Sequence, residues 1–232
     1  MFSVIFEVRP GDGRKDDYLE LAGHLKPILG KIDGFVDNER FESQSRPGWM
    51  LSHSTWRDEK SVVRWRTEGE HHMAQAKGRF ELFQDYHLRV GDVTADTDPP
   101  TEAPVLERRF DETEVGTAMA TFTEIVPAVG ASFATRPDLL PAHLGLDLTN
   151  GAVIDHDVFA SIHHPGKLAL LVGWNGPAAA NAWSPKGVDG IEKLRHRKIR
   201  VVRDYGRFDR REAPQFYPDV EGAKTKHSEP AR

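Results

Sequence analysis

A chain of 232 residues, 38% apolar and 29% charged, is long enough for one large domain or for two of about 100–120 residues, each with its own core. A net charge of −5 argues against a nucleic-acid binder, which needs a concentrated basic face; the one basic run, Arg195 to Arg203, alternates in a way that suits the exposed side of a strand. The absence of cysteine excludes disulfides, thiolate nucleophiles, zinc–thiolate sites and iron–sulfur clusters, and the longest apolar run, Leu168 to Val172, is far short of the ~20 residues that span a bilayer.

At the start, Val4, Phe6 and Val8 alternate with Ser3, Ile5 and Glu7, which is strand spacing. No cationic segment precedes an apolar stretch there, so a strand is expected in place of a signal peptide, and the cytoplasm is the expected location. Gly11 and Gly13 break the strand, and Tyr18, Leu21, Leu25, Ile28 and Leu29 then take the three-and-four spacing of an amphipathic helix. Asp33-Gly34 predicts a turn, 35–43 a second strand, Arg46-Pro47-Gly48 a hairpin and 49–56 a third strand. Residues 58–86 carry helical spacing through Val62, Trp65, Met73, Phe80 and Phe83, with Gly69 as an interruption, and 88–93 reads as a last strand. The order β-α-β-β-α-β is the ferredoxin-like unit, a four-stranded antiparallel sheet with both helices on one face.

Residues 94–108, with Pro99, Pro100 and Pro104 among acidic side chains, read as a linker, and 221–232 as a polar tail. That leaves repeats over 1–93 and 109–220. At a constant offset of 118, seven residues recur without a gap: Asp37/Asp155, Phe41/Phe159, Ser43/Ser161, Pro47/Pro165, Gly48/Gly166, Trp56/Trp174 and Trp65/Trp183. Chance would supply about two in such a window, so the chain reads as a diverged tandem duplication. One helical layer leaves the other sheet face bare. The expected fold class is therefore α+β, two tandem ferredoxin-like repeats packed sheet to sheet as an intrachain dimeric α/β barrel.

The repeats differ where chemistry could sit. Ser52 and Ser54 share a pleat side with Trp56, and the matching positions of the second repeat are Leu170 and Val172; His53, of opposite parity, matches Leu171. Buried hydroxyls without partners cost about 1–3 kcal/mol, which points to a mixed pocket between sheet and helices of the first repeat, with Phe6, Trp65 and Phe83 as walls. If a helical segment starts near Glu70, His72, Gln75 and Ala76 share one face and His71 another with Ala74, so one histidine looks inward. An imidazole over an apolar pocket suits general-base work or haem ligation; an ordinary local hydrogen bond at a helix start is the bland alternative. Asp155-His156-Asp157 spreads its ligands across a strand, and no phosphate loop, dinucleotide fingerprint or serine elbow occurs.

Over 1–93, with GF at Gly34-Phe35, the spacing from Trp56 to Trp65 and EHHMAQ from Glu70 to Gln75, the chain resembles the antibiotic biosynthesis monooxygenase family. The end of the second repeat, IRVVRDYGRFDRREAP (199–214), resembles the tail of its single-domain members. The resemblance implies a fused form of their homodimer, with further dimerisation left open. It implies cofactor-independent oxidation of phenols or quinols, or else haem binding or degradation. In the cofactor-independent members the tryptophan matching Trp56 and a polar residue at the Ser52 position lie near the substrate, though an amide is commoner there. In haem-degrading relatives the ligand histidine falls ten residues after the helix tryptophan, where this chain has Gln75, and a first-strand asparagine matches Glu7 or Val8. Both departures weigh against haem degradation. The expectation is a monooxygenase without cofactor, with haem as the alternative and a non-catalytic ligand-binding or scaffold module as the second. It takes a small aromatic hydroxyl compound and dioxygen and has no nucleic-acid or membrane partner. His72 or His71 acts as base, Trp56 and Ser52 position the substrate, and Phe6, His53, Ser54, Trp65, Gln75 and Phe83 bind it.

Overall fold

A computed structural model describes residues 1–106, 113, 118–186 and 189–220. The first repeat contains β1 (Phe2–Pro10), α1 (Lys15–Leu29), β2 (Phe35–Ser43), β3 (Met50–Trp56), α2 (Glu59–Thr67), α3 (Gly69–Lys77) and β4 (Phe83–Asp96), with one wide helical turn at Gly78–Leu82. The second contains β5 (Met119–Pro127), α4 (Ser132–Thr135), α5 (Leu140–His143), β6 (Val153–Ser161), β7 (Leu168–Trp174), α6 (Pro177–Ala182) and β8 (Ile191–Gly206). The strands close into one barrel in the order β1-β3-β2-β6-β7-β5-β8-β4. Two antiparallel seams join the repeats: β4 with β8 from His87–Gly206 to Asp96–Arg197, and β2 with β6 over Phe41–Ser43 only.

The alternation seen in β1 now has two destinations. Val4, Phe6 and Val8 pack under the helices of their own repeat, while Ile5 faces the lumen with Phe41, Leu51, Phe122, Phe159 and Leu171 from both repeats. Closure thus buries the second face of each sheet without leaving an edge. Charges are buried in the lumen in two matching sets. Glu7 accepts from Arg89 and from Arg46, which also reaches Asp157 at 2.6 Å. In the other set Glu124, the counterpart of Glu7, accepts from Arg197, the counterpart of Arg89, and from Lys167, which takes the part of Arg46 from a different position of the repeat and also reaches Glu39. Arg46–Asp157 and Lys167–Glu39 cross between repeats, so the duplicated halves are bound by reciprocal ion pairs, as in a two-fold dimer.

Four expectations change. Arg195 and Arg197 do not lie on an exposed strand face: they turn inward onto Asp96 and Glu124, and Arg197 is 2% exposed. Phe83 opens β4 instead of closing a helix, because the wide turn at Gly78–Leu82 ends the helix early. β4 runs past residue 93 to Asp96, since Asp96 and Ala95 pair with β8, and Ala103 of the expected linker is buried against the lumen core. The second repeat keeps its four strands but not its helical layer, which is reduced to short segments. The tail expected over 221–232 lies outside the described residues, as does part of the start of the second repeat.

Candidate active site

The first repeat carries a cavity of about 220 Å³ between its sheet and helices. Its floor spans five strands. Asn38 and Arg40 come from β2, Ser52 and Ser54 from β3, Val4 and Phe6 from β1, Leu88 and Val90 from β4, and Arg203 and Tyr205 from β8 of the other repeat. Its roof is α1, through Tyr18, Leu21 and Leu25, and the bend between α2 and α3, through Trp65, His71 and Gln75.

That bend follows from local chemistry. Glu68 is extended and its side chain accepts the His71 backbone N–H at 2.8 Å, so it caps α3 and starts a new helix one residue after α2 stops. The phase reset turns His71, Ala74 and Gln75 toward the cavity and His72 outward; Gln75 therefore shares a face with His71, not with His72 as expected. The His71 ring stacks on Trp65, centroids 3.9 Å apart and planes 11° apart. Its Nδ1 lies 2.7 Å from the Trp65 carbonyl oxygen. A carbonyl only accepts, so Nδ1 donates to it and Nε2 keeps the lone pair; the Gln75 amide nitrogen, 3.1 Å from the same Nδ1, donates to the Arg66 carbonyl instead. Burial pushes the imidazole down to about 4, with the Trp65 carbonyl and Glu68 offsetting it only in part, so it is neutral at pH 7.

The serines are held by neighbours in the same sheet layer. The Asn38 amide donates to Ser52 Oγ and to the His53 carbonyl, both at 2.9 Å, and the Trp56 indole donates to Ser54 Oγ at 2.8 Å. Each hydroxyl oxygen is already an acceptor, which leaves its own proton for the cavity.

Of the sequence-derived set, Phe6, Ser52, Ser54, Trp65, His71, Gln75 and Phe83 line the cavity. Three do not. Trp56 lies on the same face of β3 as Ser52 and Ser54 but is fully buried at the strand's end, packed with Phe2, Leu29 and Val62, its indole committed to Ser54. His53 points into the barrel lumen, where it bonds Ser3 at 2.8 Å and stacks on Phe122; burial and neighbouring Arg197 push its pKa well down. His72 is exposed, its ring 6.2 Å from Tyr217. Absent from the expectation were Asn38, Tyr18, Tyr86, Arg66 and the residues supplied by the other repeat.

Those latter residues come from β8 and from the irregular segment after it. Arg79, 2% exposed, donates to the carbonyls of Arg207 at 2.7 Å and Pro218 at 2.9 Å. Gln215 donates to Gln75 Oε1 at 2.7 Å and Arg210 to the Tyr86 hydroxyl at 2.8 Å. The C-terminal strap of the second repeat therefore walls the cavity of the first. In the second repeat the corresponding space is filled by Phe133, Leu140, Leu144, Leu146 and Trp183 around Trp174.

A closed barrel of two ferredoxin-like units, with one apolar chamber roofed by helices, defines a fused dimeric α/β-barrel protein built for a small molecule. The model of the family described as antibiotic biosynthesis monooxygenase matches residues 1–77. A protein of Pyricularia oryzae named jasmonate monooxygenase ABM is 42% identical over 230 residues, covering 94% of this chain and 99% of its own. Among solved structures, an anthrone oxidase-like protein is 12% identical, covers 92% of this chain and 96% of its own, and has a TM-score of 0.35. Rv0793 of Mycobacterium tuberculosis is 14% identical, covers 44% and 98%, and has a TM-score of 0.35. The extent of the fungal match makes the assignment plain: the chain belongs to the antibiotic biosynthesis monooxygenase family. It is an oxidoreductase of the monooxygenase kind, acting on a small molecule and dioxygen. Among the described residues no helix is long and apolar enough to cross a membrane.

Proposed function

We propose that the cavity of the first repeat is the catalytic site, and that its substrate is a small lipophilic molecule into which one atom of dioxygen is placed. The observation that carries this reading is a neutral imidazole, His71, with Nε2 uncommitted among the described residues, over an apolar floor bearing two hydroxyl donors. His71 Nε2 takes a proton from the substrate; Ser52 and Ser54 donate to the oxygen on which charge develops. An imidazole at about 4 is a weak base toward a phenol in water, but the anion formed beside it stabilises the imidazolium, so the two ionise as a pair. Enclosure under α1 and α3 holds anion and dioxygen together away from water.

Two substrate classes follow, and their electron balance separates them. In an aromatic hydroxyl compound of the anthrone or quinol type, the substrate supplies all the electrons: a CH₂ group and O₂ give C=O and H₂O. The fungal relative's name points instead to jasmonate. If such a compound is hydroxylated at a C–H bond, two further electrons and two protons must come from a reductant, since the second oxygen atom leaves as water. Given the extent of that match, jasmonate is the first compound to supply. Turnover under ¹⁸O₂, with and without NADPH and an electron-transfer system, tests the proposal: one labelled atom in the product supports it. Product without label, or equal rates under nitrogen, overturns it. No cofactor is proposed for the aromatic route.

Haem remains the alternative, with His71 Nε2 as the candidate ligand atom. Gln75, at the family's ligand position, is instead bonded to Gln215 and to the Arg66 carbonyl, which speaks against that route. A Soret band shifted on adding hemin and abolished in His71→Ala would favour haem. The cytoplasm is the proposed location.

A further inference from the structure

The cavity is cationic in an acidic protein. Six of its lining side chains, Lys26, Arg40, Arg66, Arg79, Arg203 and Arg210, are bases, against the single carboxylate Glu59, while the whole chain carries −5. Two of the five arginines are accounted for by neutral partners. Arg79 holds the C-terminal strap through carbonyls, and Arg210 holds Tyr86 and the Gln215 carbonyl while lying over the rings of Tyr205 and Tyr217.

Arg66 and Arg203 are different. Among the described residues neither guanidinium has a hydrogen-bond or ion-pair partner, and Arg66 Nε is buried without one, as is the Nε of Arg40 across the floor on β2. Tyr205, 8% exposed, lies within electrostatic reach of both, and its hydroxyl also has no partner among the described residues. Arg66, Arg203 and Arg210 all act electrostatically on that phenol, yet burial dominates and pushes it up to about 12, so it stays a donor. Elsewhere in this molecule buried arginines have carboxylates: Arg89 has Glu7, Arg197 has Glu124. Burying part of the Arg66 guanidinium without an acceptor costs free energy that an anion in the cavity would return. The pleat places the group at one edge of the floor, since Arg203 pairs with Val90 and Tyr205 with Leu88. The apolar centre of the floor, Val4, Phe6, Leu88 and Val90, begins beside it.

We propose that this edge is an anion subsite: Arg66, Arg203 and the Tyr205 hydroxyl receive the carboxylate of a lipophilic acid, whose hydrocarbon body lies across Val4, Phe6, Leu88 and Val90. The subsite deepens the reading of the cavity as the substrate site and rests on it. It selects acids over their neutral esters and over amines of the same length, and it fixes which end of the substrate enters the β8 edge. Arg203 and Tyr205 belong to the second repeat, so the subsite is assembled from both halves of the chain.

Binding of octanoate, methyl octanoate and octylamine to the full chain, followed by titration calorimetry at low salt without turnover, tests this. Octanoate binds at least about tenfold tighter than the ester, as a charge-assisted contact demands, and octylamine binds weakest. Arg66→Gln and Arg203→Gln each weaken octanoate about tenfold and leave the ester unchanged; the unchanged ester also shows that the fold is kept. Tyr205→Phe weakens octanoate by a smaller factor and spares the ester. Equal affinity for acid and ester, no binding of octanoate, or variants that weaken both alike would overturn the subsite. The two readings fail separately: acids that bind but are never oxidised leave the subsite and remove the catalytic assignment, whereas oxidation of neutral substrates without preference for acids does the reverse.

Discussion

At the scale of single residues, His71 and His72 are adjacent in sequence and differ in every property that matters for chemistry. His71 is stacked on Trp65, has its tautomer set by a carbonyl and lines the cavity; His72 faces solvent. His71→Ala is expected to lower kcat by about 10²–10⁴, the usual worth of a general base, and His72→Ala to change it less than about twofold, since it touches no reacting atom. Steady-state rates on both variants check this; equal losses would remove His71 from its role. Titration follows from the same burial. His71 and His196 are both depressed to about 4 by desolvation, so between about 4 and the unfolded value near 6.5 the unfolded chain binds more protons, and stability falls as pH drops through that window. His87 runs the other way. Burial alone would push it down, but Asp204 at 2.5 Å raises it to about 9, so its contribution is complete below about 6.5 and is lost as pH rises through 9. Urea unfolding at pH 5, 7 and 10 is expected to show a maximum near pH 7, and His87→Gln to flatten the alkaline limb alone.

At the scale of elements, the β4–β8 seam is the close-fitting part. The register shifts between Val90 and Gly91, and a Cβ at Gly91 would lie 2.4 Å from Ile199 Cγ2 and 2.5 Å from the Arg200 carbonyl oxygen. A carbonyl oxygen in a ladder cannot swing aside, so Gly91→Ala forces the strands apart and is expected to cost about 1–3 kcal/mol. A thermal melt several degrees lower with weaker ligand binding would show it, because the same seam sets Arg203 against Val90. An unchanged melting temperature would mean the seam is looser than its register implies. The helical layer shows what periodicity misses. Spacing suggested one interrupted helix over 58–86, but the cap at Glu68 and the wide turn at Gly78–Leu82 rotate successive pieces. That rotation, not the apolar pattern, decides which histidine points inward.

At the scale of the whole molecule, duplication has let the halves divide their labour. One keeps a chamber; the other fills the same space with side chains and contributes strap and arginines to its partner's chamber. The reciprocal lumen pairs hold the halves in register. Arg46→Met leaves Glu7 with Arg89 and Asp157 with only the Ser43 and Ser45 hydroxyls, and because Arg46 is partly exposed the change is expected to cost about 1–3 kcal/mol. Denaturant unfolding of this variant beside Lys167→Met, the matching change in the other set, measures both. A loss under about 1 kcal/mol for each would show that the lumen pairs are not what holds the repeats.

From the sequence alone came the repeat, the β-α-β-β-α-β order, the closure of two bare sheet faces on each other and three of the chamber's apolar wall residues, Phe6, Trp65 and Phe83. Each of these follows from local periodicity and from the need to bury every apolar face. Asn38 beside Ser52, the lumen place of His53, the buried state of Arg197 and the reach of Tyr205 and Arg203 into the first repeat were decided only by tertiary structure. Those depend on which strands from distant parts of the chain become neighbours and in what register, and a one-residue slip in pairing moves every side chain to the opposite face of the sheet.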